Sequence, residues 1–334
     1  MAFQPKFNVS APLLRDLETV AALREKIALA TIQVAWVPAL QKDTRTRNAH
    51  SSTAIEGNPL TLAEVRVLEA GEPLPAQPDR TRREVTNYFA GLRYIERHSR
   101  TKPMAHEDIL KLHALLTAGV MDQGQAGKYR TIQVRVGRHL PPPPGLVSGL
   151  MRELLEWWNK DSAPWSPILT SAILHYRFEE IHPFADGNGR AGRMLALWEL
   201  YRRGFDNHHI FSVDEFYWEN RPRYYENLAA VNQRAGDLTG WLEYTTEGLR
   251  LTLERVWLRI QQLSAKAGAK KTVLRPRQEQ LLHLLRERRS LAPAEIWAAL
   301  GISRQGAMNL LQPLLKVKLI RRVGTKKSGR YLLA

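Results

Sequence analysis

The chain has 334 residues, 44% of them hydrophobic and 25% charged, with a formal net charge of +16 and no cysteine. That is enough apolar material for two or three packed domains, and the missing cysteines exclude disulfides and any thiolate nucleophile or metal ligand. The first residues lack the basic, apolar, small-residue order of a secretory signal, and there is no 18-residue apolar run, so a cytoplasmic protein with no membrane span is expected.

In chain order, residues 10–50 show helical periodicity, as in LLRDLETVAALREKIALATIQ. The turn Gly57-Asn58-Pro59 follows, and a further helix is expected from near Thr61 (TLAEVRVLEA). The stretch 71–80, GEPLPAQPDR, is a loop by its Pro and Gly content, and REVTNYFAGLRYIERHS returns to helix. Beyond Met104 come a helix (HEDILKLHALLTAG), a loop, and an extended pair made of TIQVRVG at 131–137, a polar tip, and four prolines at 141–144. Neither a helix nor a central strand runs through four prolines, so they read as the stiff exit of a hairpin. Helices resume at LVSGLMRELLEWWNK and SPILTSAILHYRFEEI, break at IHPFADGNGR, and return at AGRMLALWELYRRG.

A long helix around LTLERVWLRIQQL leads to a linker, SAKAGAKKT at 264–272. Behind it the pattern gives three short helices, the third starting at Ser303 as N-cap, and then two short strands around a Gly/Lys/Ser tip. This is a winged helix-turn-helix pattern. From Ser264 to Ala334 there are 16 basic and 3 acidic residues, a net of +13, so the rest of the chain carries only +3. That asymmetry fits a nucleic-acid-binding appendage on a near-neutral body; a solvated basic face, or a winged helix that binds protein, is the other reading. In the DNA reading, the helix from Ser303 enters a major groove, Arg304 contacts a base or phosphate, and Lys326, Lys327 and Arg330 lie near phosphates.

The break between two central helices carries the chemistry: His182-Pro183-Phe184-Ala185-Asp186-Gly187-Asn188-Gly189-Arg190-Ala191-Gly192-Arg193. Small residues that open a helix expose several backbone N–H groups to one point, and the helix dipole makes that point an anion site. Gly187 and Gly189 allow a tight turn and close approach of a phosphate. Arg190 and Arg193 start on one helical face and can both grip a polyphosphate. Asp186 offers the hard oxygen that Mg²⁺ prefers, and His182 can take a proton near neutral pH. Together these describe phosphate-ester chemistry.

The string also resembles, at every fixed position, the signature of the Fic family, His-Pro-Phe-x-Asp-Gly-Asn-Gly-Arg-x-x-Arg. GKYR (127–130), VRVG, the proline run and ENRPRYYENLAAV (219–231) extend that resemblance over roughly residues 100 to 250. The resemblance implies an enzyme that moves AMP from Mg·ATP to a Ser, Thr or Tyr hydroxyl of a target protein. On that reading His182 is the base and Asp186 holds Mg²⁺. Gly187, Asn188, Gly189 and Arg190 cradle the α- and β-phosphates, Arg193 binds the γ-phosphate, and a flap at 132–140, tipped by Gly137-Arg138-His139-Leu140, docks the target by strand addition. Tyr224 and Tyr225 lie either near the adenine or in the core. Doc-type relatives, which act as kinases, depart from the Gly-Asn-Gly-Arg core, so the full form here favours nucleotidyl transfer.

A second resemblance lies upstream. Ser51-Ser52-Thr53-Ala54-Ile55-Glu56-Gly57-Asn58 is similar to the Fic inhibitory motif, Ser/Thr-x-x-x-Glu-Gly/Asn. Ser52 and Glu56 are one helical turn apart, Gly57 suits a helix end, and a Glu aimed at Arg193 would neutralise the charge meant for the γ-phosphate. Other signals fail. Gly127-Lys128-Tyr129 lacks the Ser/Thr and the upstream Gly of a phosphate-binding loop. His175, His208 and His209 have no zinc spacing, and the nine Trp read as core.

The expected fold is therefore mainly α: an N-terminal helical region at 1–100 with an inhibitory helix at about 44–57, a Fic-type core with a small β-hairpin flap at 101–250, a connecting helix and linker at 251–272, and a winged helix-turn-helix domain at 273–334. The partners expected are a target protein and DNA, with a homodimer left open; an alternative makes the protein a DNA-binding regulator whose core is a sensor or removes AMP.

Overall fold

The structure, a computed structural model, describes residues 3–30, 37–99, 103–137, 139–205, 209–266, 276–316, 319–324 and 329–333. Arg138, His208, Lys326 and Lys327, and most of the expected linker, lie outside the described residues. The chain divides into two compact units. One is Met1–Leu29 with Gln41–Leu258, the other Ala30–Leu40 with Arg259–Ala334.

Helices carry the first unit: α1 (Ala11–Leu29), α2 (Val37–Ile55), α3 (Leu62–Glu69), α4 (Asp79–His98), α5 (His106–Thr117), α6 (Pro144–Glu156), α7 (Pro167–Ile181), α8 (Asn188–Arg202), α9 (Asp214–Glu219), α10 (Arg221–Gln233) and α11 (Thr239–Lys266). A π-helical turn, Trp157–Asp161, extends α6. Local chemistry sets the boundaries. Thr61 caps α3, accepting from the Glu64 N–H at 3.3 Å while Glu64 Oε2 accepts from the Thr61 N–H at 2.8 Å, a capping box. Ser166 caps α7, and Pro167 occupies the first turn, where its missing N–H costs nothing. At the other end α2 stops at Ile55 in a Schellman arrangement: the Asn58 N–H bonds Thr53 O at 3.1 Å and the Gly57 N–H bonds Ala54 O at 3.0 Å, with Gly57 at φ +97°. The inhibitory segment expected as helix to residue 57 therefore presents Glu56 from a fixed turn beyond the helix.

The centre of this unit is the pair α7 and α8. Nearly every residue of both is buried, including Ile173, Leu174, Phe178, Ile181, Met194, Leu195 and Trp198. Neither helix is amphipathic, because both are largely enclosed: they pack on each other, α8 also against α4 and α5, and α7 also against α6. Among the described residues no helix is long and apolar enough to cross a membrane.

The expected hairpin is reduced to a single antiparallel bridge, Val136 to His139, closed by N–H···O bonds of 3.0 and 2.9 Å. That register places Val134 opposite Pro141. Proline has no N–H, so the next hydrogen-bonded rung cannot close, and the Gln133 side chain bonds Pro141 O at 2.9 Å instead. Pro144, the last of the four prolines, starts α6 rather than belonging to the hairpin.

The second unit contains α12 (Pro276–Arg288), α13 (Pro293–Leu300), α14 (Arg304–Lys316), β1 (Ile320–Val323) and β2 (Arg330–Leu333). The strands pair antiparallel, Ile320 opposite Leu333 and Val323 opposite Arg330. Leu291 bridges to Tyr331 through bonds of 2.9 and 2.8 Å. Leu281, Leu285, Ile296, Leu311, Leu314 and Ile320 form its core.

Candidate active site

Helix α7 ends at His182, whose backbone is left-handed (φ 49°, ψ 61°) and whose N–H still bonds Phe178 O at 2.9 Å. For a residue with a Cβ this conformation costs roughly 1–2 kcal/mol, so its neighbours must hold it. Arg130 does. Its side chain donates from Nε to His182 O at 2.8 Å and from Nη2 to Ile181 O at 3.4 Å, at the carbonyl-rich end of α7. The same guanidinium bonds Ile132 O at 3.1 Å and Pro142 O at 2.5 Å, the two feet of the flap. Arg130 is 4% exposed and has no carboxylate partner among the described ion pairs; burial pulls its pKa down. The sequence reading quoted Arg130 only as part of a flanking resemblance. Its signal was weak because one Arg after Tyr129 does not reveal four carbonyl partners spread over residues 132 to 182.

The loop after His182 closes on itself. Asn188 is 2% exposed, and its side chain makes a two-way clasp with Phe184: the Phe184 N–H donates to Oδ1 and Nδ2 donates to Phe184 O, both at 2.9 Å. Asn188 therefore shapes the loop from within. Phe184 is fully buried and stacks on His113, ring centroids 3.6 Å apart. The Gly127 N–H donates to His113 Nδ1 at 2.9 Å, so the ring proton belongs on Nε2, which donates to Asp186 O at 2.8 Å. Burial, only partly opposed by the Asp186 carbonyl, pushes the His113 pKa down to about 4 and keeps the ring neutral. His113 is a second supporting residue the sequence did not flag; a single buried His in a helix carries no spacing signal.

The clasp delivers the N-terminus of α8. Gly187, the N-cap, sits at φ +77°, and a Cβ there would strike Thr117 Cγ2 at 2.5 Å. No side chain caps this helix, so its first N–H groups remain available to an anion. Arg190 lies beside them, 5% exposed, with Nε and Nη1 lacking hydrogen-bond partners among the described residues. Buried donors without acceptors are costly unless a ligand supplies the acceptors. Asp186 Oδ1 accepts from the Gly187 N–H at 2.5 Å and lies 3.5 Å from Arg190 Nη2; both contacts run through Oδ1. No group of three or more metal-ligating side chains occurs among the described residues. A cation here would have Asp186 as its protein ligand and complete its shell with phosphate oxygens and water, as Mg²⁺ does. His182, 14% exposed at its side chain, stands across the loop with Nδ1 3.7 Å from Glu179 Oε2.

One turn into α8, Arg193 is enclosed (2% exposed). Nη2 bonds Glu56 Oε1 at 2.7 Å and Ser52 O at 2.9 Å, and Nε bonds Ser52 Oγ at 2.8 Å. Asp214 Oδ2 is 3.9 Å from Nε and accepts from Tyr88 OH at 2.9 Å. Burial alone would lower the Arg193 pKa; Glu56 above all, then Tyr224 and Asp214, outweigh it and hold it well above its ordinary value. Burial likewise works to raise the Glu56 pKa, but Arg193, aided by Arg190 and Arg221, holds it below the usual carboxylate range. Asp214 moves the other way, raised by burial despite Arg193. The Glu56 carboxylate also fills the space over Gly189, where a Cβ would collide with Oε1.

The two tyrosines separate. Tyr224 is 1% exposed, packed on Tyr217 with centroids 4.9 Å apart, and its OH meets His175 Nε2 at 3.1 Å and Arg193 Nη1 at 3.5 Å. It is a core aromatic behind Arg193 and offers no face to a base. Tyr225 is 39% exposed, its OH 3.5 Å from Ile55 O and its ring under the Arg221 guanidinium, and it can wall a ligand next to Glu56.

Comparison with known proteins follows the same lines. Residues 103–200 match the Fic/DOC family. Proteins named protein adenylyltransferase fic-1 are similar: that of Caenorhabditis briggsae is 33% identical over 252 residues, 74% of this chain and 48% of the relative. That of Caenorhabditis elegans is 33% identical over 221 residues, 65% of this chain and 42% of the relative. The chain thus spans less than half the length of these relatives. Among solved structures, a Fic family protein from Desulfovibrio desulfuricans superposes with a TM-score of 0.68 at 27% identity, covering 99% of this chain and 98% of that one. Fic-1 from C. elegans (residues 134–508) gives 0.65 at 28%, covering 76% and 74%.

Proposed function

We propose that this chain, which carries a Fic/DOC-family domain at residues 103–200, transfers AMP from Mg·ATP to a Ser, Thr or Tyr hydroxyl of another protein and is held back by its own Glu56. The observation that carries this reading is the end of α8. An uncapped helix N-terminus, two unpartnered buried donors on Arg190, and Arg193 one turn further line one path for a triphosphate, with His182 at its near end. The target oxygen attacks the α-phosphorus, the bond to the β-phosphate oxygen breaks, and pyrophosphate leaves. The hydroxyl proton passes to the His182 imidazole, which stands across the loop from the start of α8. Asp186 would hold Mg²⁺, which when bound offsets charge on the phosphate oxygens. The donors of Arg190 and the first amides of α8 stabilise the charge that develops at phosphorus.

In this reading the target docks by strand addition along the flap at 132–140, where Ile132 is 42% and Leu140 57% exposed. Tyr225 is the adenine-side aromatic in this reading. The supporting relatives bear the name protein adenylyltransferase, and the basic C-terminal unit is read as a DNA-binding appendage of a cytoplasmic enzyme. The test is incubation with ATP labelled at the α-phosphate, followed by mass spectrometry of modified peptides. AMP on a hydroxyl side chain, lost with His182→Ala, supports the reading. Label transferred only from the γ-phosphate would replace it with a kinase.

A further inference from the structure

The C-terminal unit has one helix face that its own core does not use. In α14 the buried side chains are Ala307, Leu310, Leu311 and Leu314. The exposed positions are Arg304, Gln305, Met308, Asn309, Gln312, Pro313 and Lys316. That face contains guanidinium, amide and ammonium groups and no carboxylate. Gln305 Nε2 bonds Asn309 Oδ1 at 3.2 Å. The pair is thereby pre-arranged with an amide donor (Asn309) and an amide acceptor (Gln305) still outward, the set that matches the N7 and N6 edge of adenine.

The helix is also mounted as a reading head. α13 and α14 are joined by three residues, with Gly301 left-handed at φ +58° and Ser303 Oγ accepting the Gly306 N–H at 3.1 Å, the geometry of a helix-turn-helix. Arg321 in β1 and Arg277, Arg288 and Arg289 of α12 and its exit are exposed cations of the same unit. Of the acidic residues, Glu295 is engaged by Arg330 at 2.8 Å and also accepts from the Ala292 N–H at 2.6 Å. Arg330, expected near phosphate, is paired with Glu295 and bonds Ser290 O at 3.1 Å, so Arg321 is the cation assigned to phosphate below.

We propose that this unit binds double-stranded DNA, with α14 in the major groove, Arg304, Gln305 and Asn309 reading base edges, and Arg321 contacting phosphate. Charge complementarity selects a polyanion, and a convex helix face one helix wide selects the B-form major groove over the deep, narrow groove of RNA duplexes. This rests on the reading of the basic unit as a DNA-binding appendage, to which it adds the groove and the contacting residues, and it does not depend on AMP transfer.

The experiment uses the full chain and a fluorescent pool of random-sequence duplex DNA, read by anisotropy from low to physiological salt, with selection of the tightest-bound duplexes. Binding should weaken steeply with salt. Arg321→Ala should weaken it evenly for all sequences and lower the salt slope by roughly one. Arg304→Ala or Asn309→Ala should instead cut preference for the selected duplex over the pool by about tenfold. All three positions are exposed, so the fold is not at stake, and His182→Ala should bind DNA as the parent does. Failure to bind duplex DNA at low salt overturns the proposal, as does equal binding to duplex RNA or heparin that is indifferent to all three substitutions.

Discussion

Glu56 Oε1 and Arg193 Nη2 stand 2.7 Å apart, although 137 residues separate them in the chain, and the arginine is the more buried of the two: its side chain is 1% exposed against 36% for the glutamate. The exposed partner is the one that can leave. When it does, Arg193 keeps Ser52 and Asp214, so the cation stays in place and gains room for an anion. In the proposed function the pair is a removable occupant of a fixed site.

In the proposed restraint Ser52 is the second element. It meets Arg193 through both its hydroxyl and its carbonyl. Ser52→Ala removes one hydrogen bond to a charged group, a loss of about 1.5–3 kcal/mol for a buried donor. It should loosen α2 and raise AMP incorporation by a smaller factor than loss of Glu56. Rates of self-modification in the two single variants check the order; a rate in Ser52→Ala above that of Glu56→Gly would contradict it.

Arg130 should act on the reaction without touching substrate. Arg130→Gln leaves the carbonyls of His182, Ile181, Ile132 and Pro142 short of donors and frees both the left-handed His182 and the flap. We expect kcat on a protein target to fall tenfold or more, each ~1.4 kcal/mol being tenfold, while the ATP dissociation constant changes only a few-fold. Arg130→Lys, which keeps the charge but not the fork, should recover part of kcat. Equal loss in kcat and in ATP binding would mean that the residue only maintains the fold.

Much of this site was legible in the sequence because its parts are contiguous. Residues 182–193 hold a histidine, a carboxylate, three glycines and two arginines in one loop-helix junction, and a helix end has one geometry. Glu56 was legible only through its Ser52 and Gly57 neighbours. Arg130, His113 and Asp214 were not, since each acts through carbonyls or side chains far away in sequence: Arg130 through residues 132 to 182, His113 through 127 and 186, Asp214 through Tyr88 and Arg193. The two adjacent tyrosines could not be sorted by pattern, because on a helix neighbours 100° apart can face core and solvent. The short flap was overestimated: a β-rich run predicts strand, while one proline opposite Val134 prevents the ladder.

Two buried histidines should make the first unit acid-sensitive. Burial pushes the His113 pKa to about 4 and burial beside Arg193 pushes His175 to about 3, from an ordinary 6.5. The unfolded chain binds these protons below pH ~6.5 and the folded one does not, so their contribution is complete above that pH and declines as pH falls toward the folded values. The slope is about 1.4 kcal/mol per pH unit for each histidine. Urea unfolding at pH 7 and pH 5 should show this loss, and His113→Gln should remove about one proton's share of the slope. An unchanged slope in that variant would contradict the assignment.

The Glu56–Arg193 pair is lost in the same direction, on acidification, but over a lower pH window. A carboxylate held below its usual range stabilises the pair above that range, and the contact is lost only on further acidification. Between pH 6 and 9 the ratio of Glu56→Gly to parent activity should be constant. A ratio that collapses within that interval would point to a different titrating group in the restraint.

The most direct measurement is the initial rate of α-labelled AMP incorporation by the full chain, parent against Glu56→Gly, at matched ATP occupancy. Removing the competitor for Arg193 should raise the rate on the order of tenfold or more, and Arg193→Ala combined with Glu56→Gly should abolish the gain, because the γ-phosphate grip goes with it. Equal rates in parent and Glu56→Gly, with ATP bound to both, would contradict the account.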